Sequence, residues 1–464
     1  MELEASFKSS CLCLPSSSLH HLQGALTPST SEIPTMQSSV PPEIPGWQMP
    51  HQDAEQLRRD VADLLGRDST RFPGAQPVSF GREHIAELQQ SEYFMCEKTD
   101  GIRVLLYLTY RQSEHGFEPI TFLIDRKNHY YEVRPPLRFP HHLFPHDPDK
   151  FLFGTILDGE LVHDRIPGEP EPRLVYYIFD CLAADNINIT ARPLDIRIGK
   201  LKTQVIKPYN DMVARHPEYA KQQAFQVREK TVYPPYSFGA MFNQILPSLK
   251  HGNDGLIFTC KNTPYEFGTD RHILKWKPPH ENTIDFKLKL GDFPMFDPED
   301  GEDGLIPDYD ARPNRLILLV NHGNNNSQPF GHDLYVTDQE WEILKGLNQR
   351  LDGRIIECYR DDQGRWRYKP ENDGSPRWRD DKKDANHIST VNSVLESIEN
   401  PVTEQDLLNQ EARIKQAVKR LREQEIERKK AQQQQWQQQQ QAGHPQHDAK
   451  KRKYSEANMN GVGH

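Results

Sequence analysis

Residues 95–104 read MCEKTDGIRV. Lys98 closes an apolar run and is followed by an Asp-Gly pair, then Arg103, then a strand as apolar as Val104-Leu105-Leu106-Tyr107-Leu108. Lysine is among the side chains least often buried, so its place between Cys96 and that strand asks for a reason. Either the amine snorkels to water, or the chain holds it in a poorly solvated cleft.

The neighbourhood favours the cleft. Two further Asp-Gly pairs, Asp158-Gly159 and Asp254-Gly255, punctuate apolar runs downstream. Each pair alone reads as a hairpin turn, because Asp-Gly suits the positive φ of a type I′ turn. What surrounds them says more. ILDGELV sets Asp158 and Glu160 two apart, and LKWKP does the same for Lys275 and Lys277. In an extended strand that spacing puts both side chains on one face. Gathering carboxylates and lysines on one face is costly in desolvation and repulsion, unless an anion and a metal ion fill the space between them.

A lysine can act as a nucleophile only when neutral. With an ordinary pKa of about 10.4, only a few parts in ten thousand are deprotonated at pH 7. Burial beside Cys96 and the nearby cations Lys275 and Lys277 would lower that value. The same cations, with a divalent ion held by Glu160 and Asp254, would neutralise phosphate oxygens during an in-line displacement. The pattern predicts a lysine that attacks a nucleotide phosphate.

The rest of the chain is organised around this region. Its 464 residues suit two or three domains. With 35% hydrophobic and 27% charged residues, the composition predicts that part of the chain is disordered. No apolar run approaches the roughly 18 residues of a membrane span. Six scattered cysteines, four of them in strand-like runs, read as buried free thiols and not as a disulfide or zinc framework. The net charge of −10 argues against nucleic-acid binding by the whole surface, but leaves room for a local basic cleft.

Residues 1–44, rich in Ser and Pro, read as a disordered extension. A helix is expected over Glu55–Leu65, and strands at FMCEK, IRVLLYLTY, ITFLID, TILDGELV, LVYYIFDCLA, DGLIFTC and ILKWK. A helical insertion over roughly 196–228 interrupts them. The fold class is α+β, with antiparallel sheets and flanking helices, over a first domain at 45–286. Strands at FKLKL, RLILLVN, HDLYVT, RIIECYRD and GRWRYKP suit an OB-fold barrel at 287–390. The eight acidic residues between 292 and 310 read as a solvated loop within it. Residues 391–430 form a polar helix with a thin seam at Ile414, Val418 and Leu421, either a solvated face or a short docking surface. Residues 431–464 are a glutamine-rich tail read as disordered, ending near KKRK (450–453), a nuclear-signal pattern.

Five stretches in order also carry a resemblance. KTDGIR, LDGELV, YYIFDCLAADN, DGLIF and LKWKP, spread over residues 98–278, resemble motifs I, III, IIIa, IV and V of the covalent nucleotidyltransferases. That superfamily holds DNA ligases, RNA ligases and mRNA capping guanylyltransferases. FPGAQPVSF (72–80), FLIDR (122–126), NTIDF (282–286) and RWRDDKKDANH (377–387) resemble the capping enzymes, in particular those of the fungal type. The resemblance implies that Lys98 takes GMP from GTP as a covalent Lys98–GMP intermediate and passes it to the 5′-diphosphate end of nascent RNA. It implies that Arg103 and Arg126 contact ribose and nucleotide, that Phe179 walls the base, and that Lys275 and Lys277 hold the α-phosphate. Glu160 and Asp254 would hold Mg²⁺ or Mn²⁺. Arg379, Asp381 and Lys382 would come from the barrel to orient pyrophosphate. It further implies a nuclear protein, a separate RNA 5′-triphosphatase subunit and the phosphorylated tail of RNA polymerase II as partners. An ATP-dependent polynucleotide ligase using the same lysine, and a non-catalytic scaffold binding RNA or polymerase, are the alternatives.

Overall fold

The computed structural model describes residues 42–114, 116–297, 304–371, 373–380 and 382–442. Nearly all of the 1–44 extension, the KKRK run and Asp381 lie outside them.

A strand that is apolar on both faces has to sit between two layers. The strands of the first domain are β1 (Ala75–Ser79), β2 (Tyr93–Thr99), β3 (Ile102–Ser113), β4 (Thr155–Asp164), β5 (Arg173–Ala184), β6 (Asn253–Cys260) and β7 (Gly268–Trp276). β3, β4 and β5 form the middle of an eight-stranded sheet, while β1-β7-β6-β2 make a four-stranded one. Leu105 and Tyr107 pack in the seam between the sheets, with Ile156, Ala75 and Tyr265. Leu106 and Leu108 pack on the opposite face, with Leu201, Val205 and Tyr209 of the helical insertion. This two-sided burial accounts for the unbroken apolar run of β3.

Pairing is antiparallel apart from β1 beside β7 and a short strand, Gln226–Glu229, beside β5. β1 is a strand the sequence reading omitted. Its AQPVS contains a proline, which removes a ladder donor, and the strand is tolerated because it is an edge.

In the second domain β8 (Thr283–Leu290), β9 (Leu316–Asn321), β10 (Ser327–Asp333), β11 (Ile355–Arg360) and β12 (Trp366–Tyr368) run in the order β10-β9-β8-β11-β12. Just past β10 the Tyr335 amide donates to the Trp366 carbonyl at 2.8 Å, which joins the two edges and closes the sheet. Helix α1 (Asp338–Gly346), started by a Thr337–Glu340 capping box, fills the step between β10 and β11. This closed five-stranded sheet is consistent with the OB-fold expected. The strand expected at HDLYVT ends earlier, at Asp333, because the chain there leaves β9 to make the closing contact.

Helix α2 (Ile388–Glu399) packs Val391, Val394 and Ile398 into the barrel core. Helix α3 (Glu404–Ala442) then returns to the first domain. Its seam is a docking surface: Leu407, Ile414 and Val418 are buried against Met95, Phe258 and Trp276 on the outer face of the four-stranded sheet. Each such side chain contributes roughly 1.5–3 kcal/mol of burial. Polar ties add register, with Trp276 Nε1 donating to the Val402 carbonyl at 2.8 Å and Arg422 Nε to Glu92 at 2.7 Å. The helix continues through the glutamine run to Ala442, so residues 431–442 are helical and not the disordered tail expected. Glutamine is a good helix former, and docked turns supply the nucleus it needs.

The four cysteines in strands are free and buried, as their context implied. No described helix is long and apolar enough to cross a membrane. Under β5, Arg197 sets a fork on Asp180, with Nε to Oδ1 at 2.8 Å and Nη2 to Oδ2 at 2.7 Å, both groups almost fully buried. Removing one partner strands a buried charge. Arg197→Met should therefore lower the unfolding free energy by about 3–5 kcal/mol, with Arg197→Met/Asp180→Leu recovering most of it. Urea unfolding measures both, and a loss in the single variant below about 1 kcal/mol would refute the account.

Candidate active site

The chain passes from the four-stranded to the eight-stranded sheet at Asp100-Gly101, between β2 and β3, and leaves Lys98 at the mouth of the seam. That Asp-Gly pair joins two sheets and is not a hairpin turn, and neither are the other two. Asp158-Gly159 lies in the middle of β4, where a Cβ on Gly159 would stand 2.6 Å from the Tyr176 ring. Asp254-Gly255 makes a bulge in β6: Glu97 pairs with Leu256 and Thr99 with Asn253, so two residues oppose Lys98. Gly255 has φ +135°, and a Cβ there would lie 2.0 Å from the Trp276 carbonyl oxygen.

The bulge delivers the Asp254 carboxylate between two amines. Lys98 Nζ donates to Oδ1 at 2.7 Å, and Lys277 Nζ reaches Oδ2 at 2.7 Å. Burial alone would raise the Asp254 carboxyl, but Lys277 and then Lys98 outweigh it and hold the group below the usual carboxylate range. Burial likewise opposes charge on Lys277, and Asp254 more than restores it, so that amine is raised. Lys275 lies beside these pairs without sharing them equally. Burial, followed by the charges of Lys277, Lys98 and Arg126, lowers its amine to about 8.

A second group of residues stands across the seam on β3, β4 and β5. Glu160 pairs with Arg103 in the ladder and Asp158 with Leu105, so the two carboxylates do share a face. Their partners differ. Asp158, fully buried, takes the Arg103 fork, Nε at 2.9 Å and Nη2 at 2.6 Å, together with the Tyr265 hydroxyl at 2.7 Å. That grip holds the Arg103 guanidinium 5.6 Å from the Phe179 ring centroid. Phe179 is the extra residue of a bulge in β5, since Asp158 pairs with Asp180 and Gly159 with Ile178. It is half-buried and stands outside the hydrophobic core. Glu160 accepts from the Thr99 hydroxyl, which is also the acceptor for Lys230 Nζ at 2.6 Å. Lys230 is buried, and Cys96, Glu97 and Glu160 outweigh the burial that would otherwise lower its amine. Thr99, Asp158, Lys230 and Tyr265 went unassigned in the sequence reading. Glu160's spacing pointed toward Asp158, but nothing in REKTV marks Lys230 as buried.

Arg126, exposed, donates to Gln76 at 2.8 Å and is near enough to Lys275 to affect its amine. Two of the barrel residues are held within the barrel. Arg379 pairs with Asp285 at 3.2 Å and with Glu357 at 3.5 Å, and Lys382 also pairs with Asp285. Asp285 and Glu357 are buried residues of the barrel. The barrel nonetheless borders the lysines, because Glu357 and Glu281 help raise Lys277, and Arg377 acts on Asp100.

The residues fit a hard divalent cation in donor type. Glu160 and Asp254 offer carboxylate oxygens from two sheets beside Thr99 and Lys98. Among the described residues, sets of three or more metal-capable side chains occur only elsewhere, at His141, His142 and Asp185 and at Glu266, Asp270 and His272. Two protein carboxylates completed by substrate oxygens and water is the arrangement that suits Mg²⁺.

The family model for the mRNA capping enzyme catalytic domain matches residues 41–279, and that for its C-terminal domain matches 281–408. The chain belongs to the mRNA capping enzymes. It is 44% identical over 389 residues to the mRNA-capping enzyme subunit alpha of Neurospora crassa, covering 81% of this chain and 93% of that protein. The Schizosaccharomyces pombe subunit alpha is 42% identical over 378 residues, covering 81% and 88%. The Saccharomyces cerevisiae one is 37% identical over 412 residues, covering 80% and 86%. Among solved structures, mycobacterial DNA ligase D complexed with ATP and MES covers 67% of this chain and 95% of that one, at TM-score 0.32 and 15% identity, too loose to argue from. Family membership decides between the capping enzyme and the ligase. This capping enzyme is a nucleotidyltransferase of the guanylyltransferase type.

Lys275 in the capping enzyme carries a pH signature. Its folded value of about 8 lies below an unfolded value near 10.4, so the folded state binds fewer protons between the two. The group therefore weakens the fold fully below about pH 8, and that penalty is relieved as pH rises toward 10.4. With reductively ¹³C-methylated lysines, one resonance assigned to Lys275 should titrate near pH 8, and nearer still to neutrality in Asp254→Asn, which removes the carboxylate that opposes the shift. A Lys275 resonance titrating above about pH 10 would overturn this picture.

Proposed function

We propose that Lys98 Nζ attacks the α-phosphorus of GTP, forming a P–N bond as the bond to the β-phosphate oxygen breaks and pyrophosphate leaves. The terminal phosphate oxygen of a 5′-diphosphate RNA then attacks the same phosphorus, the P–N bond breaks, and the product carries a GpppN cap. The observation that carries this reading is Lys98 Nζ held 2.7 Å from an Asp254 oxygen whose partner oxygen is held by Lys277. The amine leaves that pair and gives its proton to solvent before its lone pair faces phosphorus. Lys275 and Lys277 offer positive charge to the α-phosphate, which carries the negative charge the lysine cluster lacks. Arg103, fixed by Asp158, and Arg126, fixed by Gln76, contact ribose and nucleotide, and Phe179 walls the base. Glu160 and Asp254 would hold the divalent cation, Mg²⁺ or Mn²⁺, which would supply further charge neutralisation on the phosphates.

Arg379, Asp381 and Lys382 orient the leaving pyrophosphate. Arg379 and Lys382 are engaged by Asp285, so this role needs them to exchange that carboxylate for phosphate as the barrel closes on the nucleotide. The relatives are named as alpha subunits. We read this chain as one component of a nuclear assembly, with a separate RNA 5′-triphosphatase making the diphosphate end and the phosphorylated tail of RNA polymerase II bringing the enzyme to nascent transcripts.

Incubation with α-labelled GTP or ATP and Mg²⁺ or Mn²⁺, followed by denaturing electrophoresis, tests the reading. Wild type should take label from GTP and release it with pyrophosphate, while Lys98→Ala and Lys98→Arg take none. Label from ATP alone, or label retained in a folded Lys98→Ala protein, would sink it.

A further inference from the structure

Two adjoining hollows, of about 460 and 260 Å³, share Arg71, Lys127 and Asn128 and so form one groove. It opens beside Arg126 and Gln76, at the edge of the site, and runs past Phe72. Its walls are built before any ligand arrives. Asn128, at φ +65°, ties one wall to the other by donating to the Thr70 carbonyl at 2.8 Å, and Arg67 braces the Arg71 carbonyl at 2.8 Å. The Phe72 ring lies over Gly74, where a Cβ would stand 2.2 Å from the ring, so only glycine lets it settle there.

The groove's charge is free to act outward. Among the described residues neither Arg71 nor Lys127 is in an ion pair, whereas Arg58 and His129 at the far end are tied to Glu55 and Asp125. Exposed cations at the site end of one groove, on a chain of net charge −10, form a local basic track and not a basic surface. A positive groove with an aromatic ring in its wall matches what a single nucleic-acid strand needs, namely cations along the backbone and a face for a base.

We propose that this groove holds the RNA that follows the 5′-diphosphate acceptor, with Arg71 and Lys127 on its first phosphates and Phe72 against a base. The proposal rests on the acceptor reading above. It gives the enzyme a reason to prefer an RNA chain over a diphosphate mononucleotide, since the mononucleotide ends at Arg126 and leaves the groove empty.

The two half-reactions separate the possibilities. Arg71→Gln/Lys127→Gln should form GMP–enzyme from GTP as wild type does. Its KM for transfer to a 5′-diphosphate RNA of about 20 nucleotides should rise roughly five- to tenfold, with a log–log salt dependence shallower by about 1.4 for two lost phosphate contacts on a single strand. Transfer to a 5′-diphosphate mononucleotide should not change. Equal effects on both acceptors, or none on either, would overturn the proposal. A defect already present in GMP–enzyme formation would assign the groove to the pyrophosphate of GTP instead, which also overturns it. A wild-type enzyme that forms no GMP adduct would refute the underlying reading, and not the groove in particular.

Discussion

One carboxylate bonds directly to two of three clustered amines. Lys98 on β2 and Lys275 on β7 flank β6, Lys277 lies just past the end of β7, and the like charges of the three repel. Asp254 can compensate two of them, and its two oxygens do so at 2.7 Å each. The third, Lys275, is depressed by its burial first and then by the charges of the other two. The amines thus depend on where the Asp254 carboxylate is placed. Everything that places Asp254 follows from this need: the bulge in β6, the glycine that allows it, and the Trp276 carbonyl that passes where a Cβ would be.

The two bulges share a logic. A regular ladder would alternate side chains strictly between faces, and a site assembled at a seam needs exceptions to that alternation. In β6 the exception turns a carboxylate toward Lys98, and in β5 it lifts Phe179 out of the core to stand near Arg103. Asp158 then serves as the buried anchor that keeps Arg103 from wandering.

Much of this was legible from residues. The two-apart spacing of Asp158 and Glu160 gave a shared face, and the apolar run at Val104–Leu108 gave a strand. What stayed hidden depended on long-range pairing. Asp-Gly favours turns locally, but three times here the sheet overrode that preference, because the residues opposite demanded a crossing or a bulge. β1 was lost to its proline, whose edge position no local signal announces. Lys230 looked like any polar residue of REKTV, though it ends beneath Thr99. The positive charges of Arg379 and Lys382 were evident, but their partner Asp285 lies far away in sequence. The glutamine run looked structureless in composition, yet docking upstream by Ile414 and Val418 carries the helix through it.

The bond from Trp276 to Val402 has a mechanical consequence. The chain enters the barrel just after Trp276 and leaves it just before Val402, so one hydrogen bond staples the outgoing and returning legs together. If the barrel swings, two legs stapled there would act much like a pin. Points far from the pin sweep widely, while points beside it hardly move. Lys277 is the residue next to Trp276. A phosphate resting on Lys277 would sit almost on that axis, undisturbed by any swing of the barrel.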